Sequence, residues 1–193
     1  LQFSNNNYPS GWEKYQWRWS LNNQQDAIQI YAKPQAKEWI GEKLNPGEKL
    51  FIASEQGLGD TIQFMRYIPY LRKKGIHISF CAQTKLHQLI KESDISNNPL
   101  PPKKEKFNFD GKWAPLLSLP KYLNVDSSNP VVKSPYLKIN KDRISYWKNI
   151  FSNEQKPIIG INWQGKLSAE ENNHILKGRS MPLELFSRLT CIG

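Results

Sequence analysis

Apolar positions recur along this chain in two rhythms, and the change from one to the other is sharpest between residues 48 and 82. Leu50 to Ala53 are consecutively apolar, which predicts a short strand buried on both faces. The run ends in the polar pair Ser54-Glu55, and the turn Gln56-Gly57-Leu58-Gly59-Asp60 follows. Beyond it Ile62, Met65, Ile68 and Leu71 repeat every three residues, with Phe64 widening the stripe, so the spacing predicts a helix over 61–74. Pro69 interrupts that pattern and should kink the helix or end its first half. Gly75, after Arg72, Lys73 and Lys74, is a C-terminal stop with cations at the negative end of the helix dipole. Ile76 to Cys81 then predicts a second strand, which completes a βαβ unit with parallel strands. A further helix is expected over 84–92, where Leu86, Leu89 and Ile90 are apolar.

The flanks are less regular. The first nine residues are polar and read as loose. In the segment 11–20, Trp12, Tyr15 and Trp19 share one helical face while Trp17 points elsewhere, which predicts a short packing helix. Residues 22–47 read as an irregular linker with one turn around Ala36–Trp39. The prolines at 99, 101 and 102, followed by Lys-Lys-Glu-Lys, read as an exposed loop. Residues 107–113 are ambiguous, and 114–123, interrupted by Pro115 and Pro120, read as a short helix entering a turn. A short strand is expected at 136–139, a helix over 142–151 and a strand over 157–163. A polar loop over 164–180 and a helix over 181–189, capped by Ser180 with Pro182 behind it, complete the pattern. The resulting division is an aromatic helix and linker at 1–47, an α/β domain with a parallel sheet at 48–155, and the opening of a second α/β lobe at 156–193.

Composition narrows the class of protein. The 193 residues are 38% hydrophobic and 12% aromatic, as in folded globular chains. No apolar run is long enough for a transmembrane helix, and the opening residues lack the pattern of a signal peptide. The chain reads as an excised segment. Two cysteines, Cys81 and Cys191, are too few for a disulfide framework, and His77, His87 and His174 lack metal-ligand spacing. Lys and Arg outnumber Asp and Glu by 27 to 17, a net charge of +10 that favours anionic partners. The basic residues are dispersed, and the aromatics do not alternate with them along a sheet, which argues against nucleic acid.

The Gly-Leu-Gly-Asp turn carries the candidate chemistry. It follows a strand of an α/β unit, where such folds place ligands, and its glycines permit close approach. Ile62 stands where a dinucleotide fingerprint needs its third glycine, and no GxxxxGK loop is present. Asp60 has two readings. As a helix cap it would accept backbone N–H groups two or three residues on. As a general base it would take a proton from an attacking hydroxyl, and both roles together would require a ligand to displace the backbone contacts.

The segment SEQGLGDTIQFMRYIPYL (Ser54–Leu71) resembles the diagnostic stretch of bacterial glycosyltransferases fused to tetratricopeptide repeats, relatives of the ADP-heptose:lipopolysaccharide heptosyltransferases. GWEKYQWRW (Gly11–Trp19) is similar to the end of the last repeat helix of such proteins, and WIGEKLNPGEKLFIASEQGLGD (Trp39–Asp60) to the lead-in to the first catalytic strand. LLSLPKYLNV and SPYLKI (Leu116–Val125, Ser134–Ile139) resemble the later first lobe, and IIGINWQGK with GRSMPLELF (Ile158–Phe186) the start of the second. The resemblance implies a two-lobed, B-type glycosyltransferase with Rossmann-like α/β lobes, residues 48–155 being the acceptor-side one, that is inverting and metal-independent. It needs no cofactor besides its nucleotide-sugar donor substrate.

By position, Asp60 would be the base, and Gln56, Gly57, Leu58, Gly59 and Thr61 the acceptor-side turn. Lys166, Arg179 and Ser180 would approach the donor phosphates. The acceptor would be a glycan, a lipid-linked glycan or a protein, and the upstream repeats would hold a protein partner. A cytoplasmic location, peripheral to the inner membrane, is implied. Most donor contacts would lie beyond Gly193, so the segment alone is expected to be inactive. The competing reading is a non-catalytic binding or scaffold module of a repeat protein.

Overall fold

The computed structural model describes residues 2–20, 30–132, 135–165 and 180–191. Contacts divide the chain into a unit of residues 1–144 and a unit of residues 145–193. The first is α/β. Its strands are β1 (Gln35–Glu38), β2 (Lys49–Ala53), β3 (His77–Cys81) and β4 (Asn108–Pro115). They pair in parallel in the order β1-β4-β2-β3. The described α-helices of the chain are α1 (Tyr8–Tyr15), α2 (Leu58–Phe64), α3 (Tyr67–Lys73), α4 (His87–Glu92), α5 (Leu119–Tyr122) and α6 (Lys141–Ile150).

Strand β2 is apolar throughout because both of its faces are covered. Leu50 and Ile52 face a core built with Met65, Ile68 and Leu71 of the following helices and Ile90 of α4. Phe51 and Ala53 face the opposite core with Ala32, Cys81 and Trp113. Extended chain at 30–36 and 100–109 covers that second face: Tyr31 N–H donates to Ser54 O (3.0 Å), and Lys103 N–H to Tyr31 O (2.8 Å).

The helix predicted over 61–74 begins earlier, at Leu58, and is broken into α2 and α3 around Met65-Arg66. Pro69 is the cause. It has no N–H for the Met65 carbonyl, which accepts from Ile68 N–H instead (3.1 Å). Pro69 thereby falls in the first turn of α3, where a missing donor is harmless. The helix ends as expected at Gly75, whose φ of +83° is left-handed.

Several flanking expectations are corrected. Residues 3–5 form a 3-10 turn and α1 begins at Tyr8, so the N-terminal stretch is ordered against the core through Trp12. The aromatic segment is α-helical only to Tyr15 and continues as a 3-10 helix over Gln16–Ser20. The turn expected at 36–39 is the edge strand β1, held by Gln35 N–H to Phe107 O and Trp39 N–H to Trp113 O (2.8 and 2.7 Å). Ambiguous residues 107–113 belong to β4, which lies between β1 and β2.

Two features hide this strand. Its exposed first half runs past β2, and its register against β1 is irregular between Gln35 and Lys37. Gly111 sits at that irregularity with φ +154°, and a Cβ there would lie 2.6 Å from Lys49 O. Residues 136–139 and 157–163 are not strands, because neither stretch has a neighbouring strand to exchange backbone hydrogen bonds with among the described residues.

In the second unit, Ile158 and Ile159 are exposed. The C-terminal helix is a 3-10 helix over Leu183–Cys191. No described helix is long and apolar enough to cross a membrane.

Candidate functional site

From β2 the chain moves to β3 on one side and then returns to β4 on the other. The carboxyl ends of β2 and β4 therefore flank the point where strand order reverses, the usual ligand position of an open parallel sheet. The segments leaving those ends are Ser54–Asp60 and Leu116–Ser118.

Charge fills the space between them. Glu55 is fully buried, and the guanidinium of buried Arg18 reaches it from the 3-10 segment after α1, with Nε–Oε2 at 3.0 Å and Nη2–Oε1 at 2.9 Å. Nη2 also donates to Ser118 Oγ (2.8 Å), and Nη1 to Tyr15 O (3.1 Å). Leu117 N–H donates to Glu55 Oε1 (3.0 Å), and the guanidinium carbon lies 4.8 Å from the Tyr15 ring centre. Each charge thus has several partners, as a buried pair requires. Nothing local in the sequence couples positions 18 and 55. The polar pair closing β2 was the only trace, and it did not name a partner.

The turn itself is clamped from beneath. Gln56 adopts φ +60°, an unusual conformation for a residue with a side chain. Its carbonyl accepts from Tyr31 Oη (3.0 Å) and Gln83 Nε2 (3.3 Å), and its side chain reaches Tyr15 Oη (3.4 Å). Gln83, buried just after β3, was not foreseen. Its Nε2 also donates to Gly57 O (3.3 Å), while its Oε1 accepts from Thr61 Oγ1 (2.8 Å) and lies 3.2 Å from Ser54 Oγ. One amide therefore joins the end of β2, the turn and the first turn of α2. Thr61 lies within this buried support, beneath the turn and away from its open side.

Gly57, Leu58 and Gly59 are exposed and Asp60 is half-buried. Because α2 starts at Leu58, Asp60 is its third residue and not its cap. Its Oδ2 reaches back to accept from Gly57 N–H (2.9 Å), the reverse of the expected direction and still favourable at the positive end of a helix. Its Oδ1 accepts from none of the described residues. The backbone contact of Asp60 therefore uses one carboxylate oxygen and leaves the other without a described partner. Neither glycine has a positive φ. A Cβ on Gly57 would stand 3.0 Å from Asp60 Oδ2, so glycine there admits the carboxylate, whereas Gly59 faces open space.

Lys166 and Arg179 lie outside the described residues. Ser180 belongs to the second unit, where its Oγ accepts from Gly165 N–H (2.9 Å) beside the Met181 N–H to Trp163 O bond (2.9 Å). It does not cap the C-terminal helix, which starts at Leu183. Cys81 is no nucleophile: burial pushes its thiol up to about 11. Comparison with protein-family models, curated proteins and solved structures returned no match to this chain.

Proposed function

We propose that residues 1–144 are the acceptor-side, Rossmann-like lobe of a two-lobed B-type glycosyltransferase, with Asp60 as its base. The observation that carries this reading is the Asp60 carboxylate. It stands at the carboxyl end of the first strand of a parallel βαβ unit, with one oxygen fixed by Gly57 N–H and the other open. In the reaction, an acceptor oxygen attacks the anomeric carbon of a nucleotide-activated sugar. The new glycosidic C–O bond forms as the C–O bond to the nucleotide diphosphate breaks, and the electron pair leaves with the diphosphate. Asp60 Oδ1 takes the acceptor proton late, as the oxygen loses it. Gly59, next to Asp60 in the chain, faces open space, and Gln56 and Gly57 are held by Gln83. Lys166, Arg179 and Ser180 are assigned to the donor phosphates, where preorganised positive charge stabilises the leaving group.

The test is transfer and hydrolysis of a nucleotide-sugar panel by the full-length protein and its Asp60→Asn variant. The variant keeps an acceptor oxygen for Gly57, so it should melt with the wild type while turnover falls by roughly 10²-fold or more. Undiminished turnover removes Asp60 from the mechanism. Nucleotide-sugar binding without any turnover favours the scaffold reading.

A further inference from the structure

A concave feature opens beside α2. A groove of about 590 Å³ is formed where the N-terminal segment packs on α2 and α3. Its aromatic walls are Phe3, Tyr8, Trp12, Tyr15, Phe64 and Tyr67. The rings are held edge-to-face: Phe3 to Trp12 at 4.6 Å between centres, Trp12 to Phe64 at 6.2 Å and Trp12 to Tyr15 at 6.3 Å. The indole N–H of Trp12 donates to Val125 O (2.8 Å), which fixes the central ring.

Polar groups share this lining. Gln63, Arg66, Asp126 and Ser127 all border the groove. Asp126 Oδ1 accepts from Ser128 N–H, Ser128 Oγ and Asn129 N–H (2.8, 2.7 and 2.6 Å), while its Oδ2 accepts from none of the described residues. Arg66 binds Gln63 O through Nε (2.7 Å) and lies over the Tyr136 ring, leaving its two terminal nitrogens without a described hydrogen-bond partner. The side chains of Gln63 and Ser127 likewise make no described hydrogen bond.

The groove leads back to the candidate base. Gln63 and Phe64 lie one helical turn beyond Asp60 on α2. Tyr15 lines the groove and also contacts Gln56 of the turn. Burial holds the Tyr15 phenol above its ordinary pKa, against the opposing Gln56 hydrogen bond and Arg18 charge, so it is present as a hydroxyl.

The geometry points to a binding groove for a neutral oligosaccharide, the acceptor chain whose terminal hydroxyl meets Asp60; this assignment rests on the glycosyltransferase reading above. Sugar rings present apolar C–H faces to aromatic walls and hydroxyls at their rims, which suits flat rings bordered by an amide, a guanidinium, a carboxylate and a hydroxyl. One cation and one anion leave this lining balanced, although the chain as a whole carries +10. A phosphate-bearing ligand would call for an excess of cations. An acyl chain would bury the open groups of Asp126 and Arg66 without partners.

The test is saturation-transfer NMR and tryptophan fluorescence on the protein with neutral di- to tetrasaccharides built from glucose, galactose or N-acetylglucosamine. Dodecanoate and a serine-rich peptide are the comparison probes. Saturable oligosaccharide binding is expected. Tyr8→Ala and Gln63→Ala should each weaken it about fivefold at unchanged melting temperature, and Tyr8→Trp should retain it. No saturable binding of these saccharides, binding indifferent to Tyr8 and Gln63, or preferential binding of dodecanoate or the peptide overturns the assignment. Oligosaccharide binding in a full-length protein that turns over no nucleotide sugar keeps the groove and removes the transferase reading. Asp60-dependent transfer without oligosaccharide binding does the reverse.

Discussion

At the scale of single residues, Gln83 decides whether the candidate site exists as a shape. Gln56 holds a left-handed backbone angle, and the opposing force is a set of hydrogen bonds that converge on one buried amide. Gln83→Ala should lower stability by about 1–3 kcal/mol, because it takes the short-range acceptor away from the buried Thr61 hydroxyl and a donor from the Gln56 carbonyl. Chemical denaturation measures that loss, and hydrogen exchange at the Gln56 and Gly57 amides should rise with it. A Gln83→Ala protein that denatures as the wild type does would show that water replaces the amide at no cost. Asp60 could be singled out from the Gly-Leu-Gly-Asp turn, but its bonding direction could not. That direction depends on where α2 begins, and Leu58 and Gly59 carry no helical pattern of their own.

At the scale of elements, the 3-10 segment after α1 is joined to the sheet by a buried ion pair. Arg18 and Glu55 come from segments far apart in sequence and meet between the carboxyl ends of β2 and β4. Removing one charge strands the other. Arg18→Met or Glu55→Leu should each destabilise the fold by about 3–5 kcal/mol, whereas the double replacement Arg18→Met with Glu55→Leu should cost much less than the sum. A thermal double-mutant cycle measures this, and strictly additive losses would show that the two charges are stabilised independently. The β2–α2–α3–β3 unit was legible because each of its elements carries its own period, and Pro69 and Gly75 act on their immediate neighbours. Strands β1 and β4 were not. An edge strand with one small apolar residue and a strand with an exposed, glycine-bearing first half look like loops until their partners are known.

At the scale of the molecule, the buried side chains among the described residues belong to the first unit. Leu50, Ile52 and Phe80 of its sheet are fully buried, whereas α6 buries no residue and Ile158 and Ile159 of the second unit are largely exposed. Native-state hydrogen exchange should therefore be slowest at the β2 and β3 amides and close to intrinsic rates at 157–163. Strong protection at 157–163 would mean that those amides have partners beyond the described contacts.

Local rhythm alone was enough for an α/β chain with a parallel βαβ unit, a broken helix and an aspartate beside a glycine turn. These features depend on residues within a few positions of one another, so the pattern carries them. Only the tertiary structure supplied the middle position of β4, the Arg18–Glu55 pair, the Gln83 clamp and the aromatic groove beside α2. Each joins segments far apart in sequence, and their energetics come from excluding water between surfaces that no local pattern brings together.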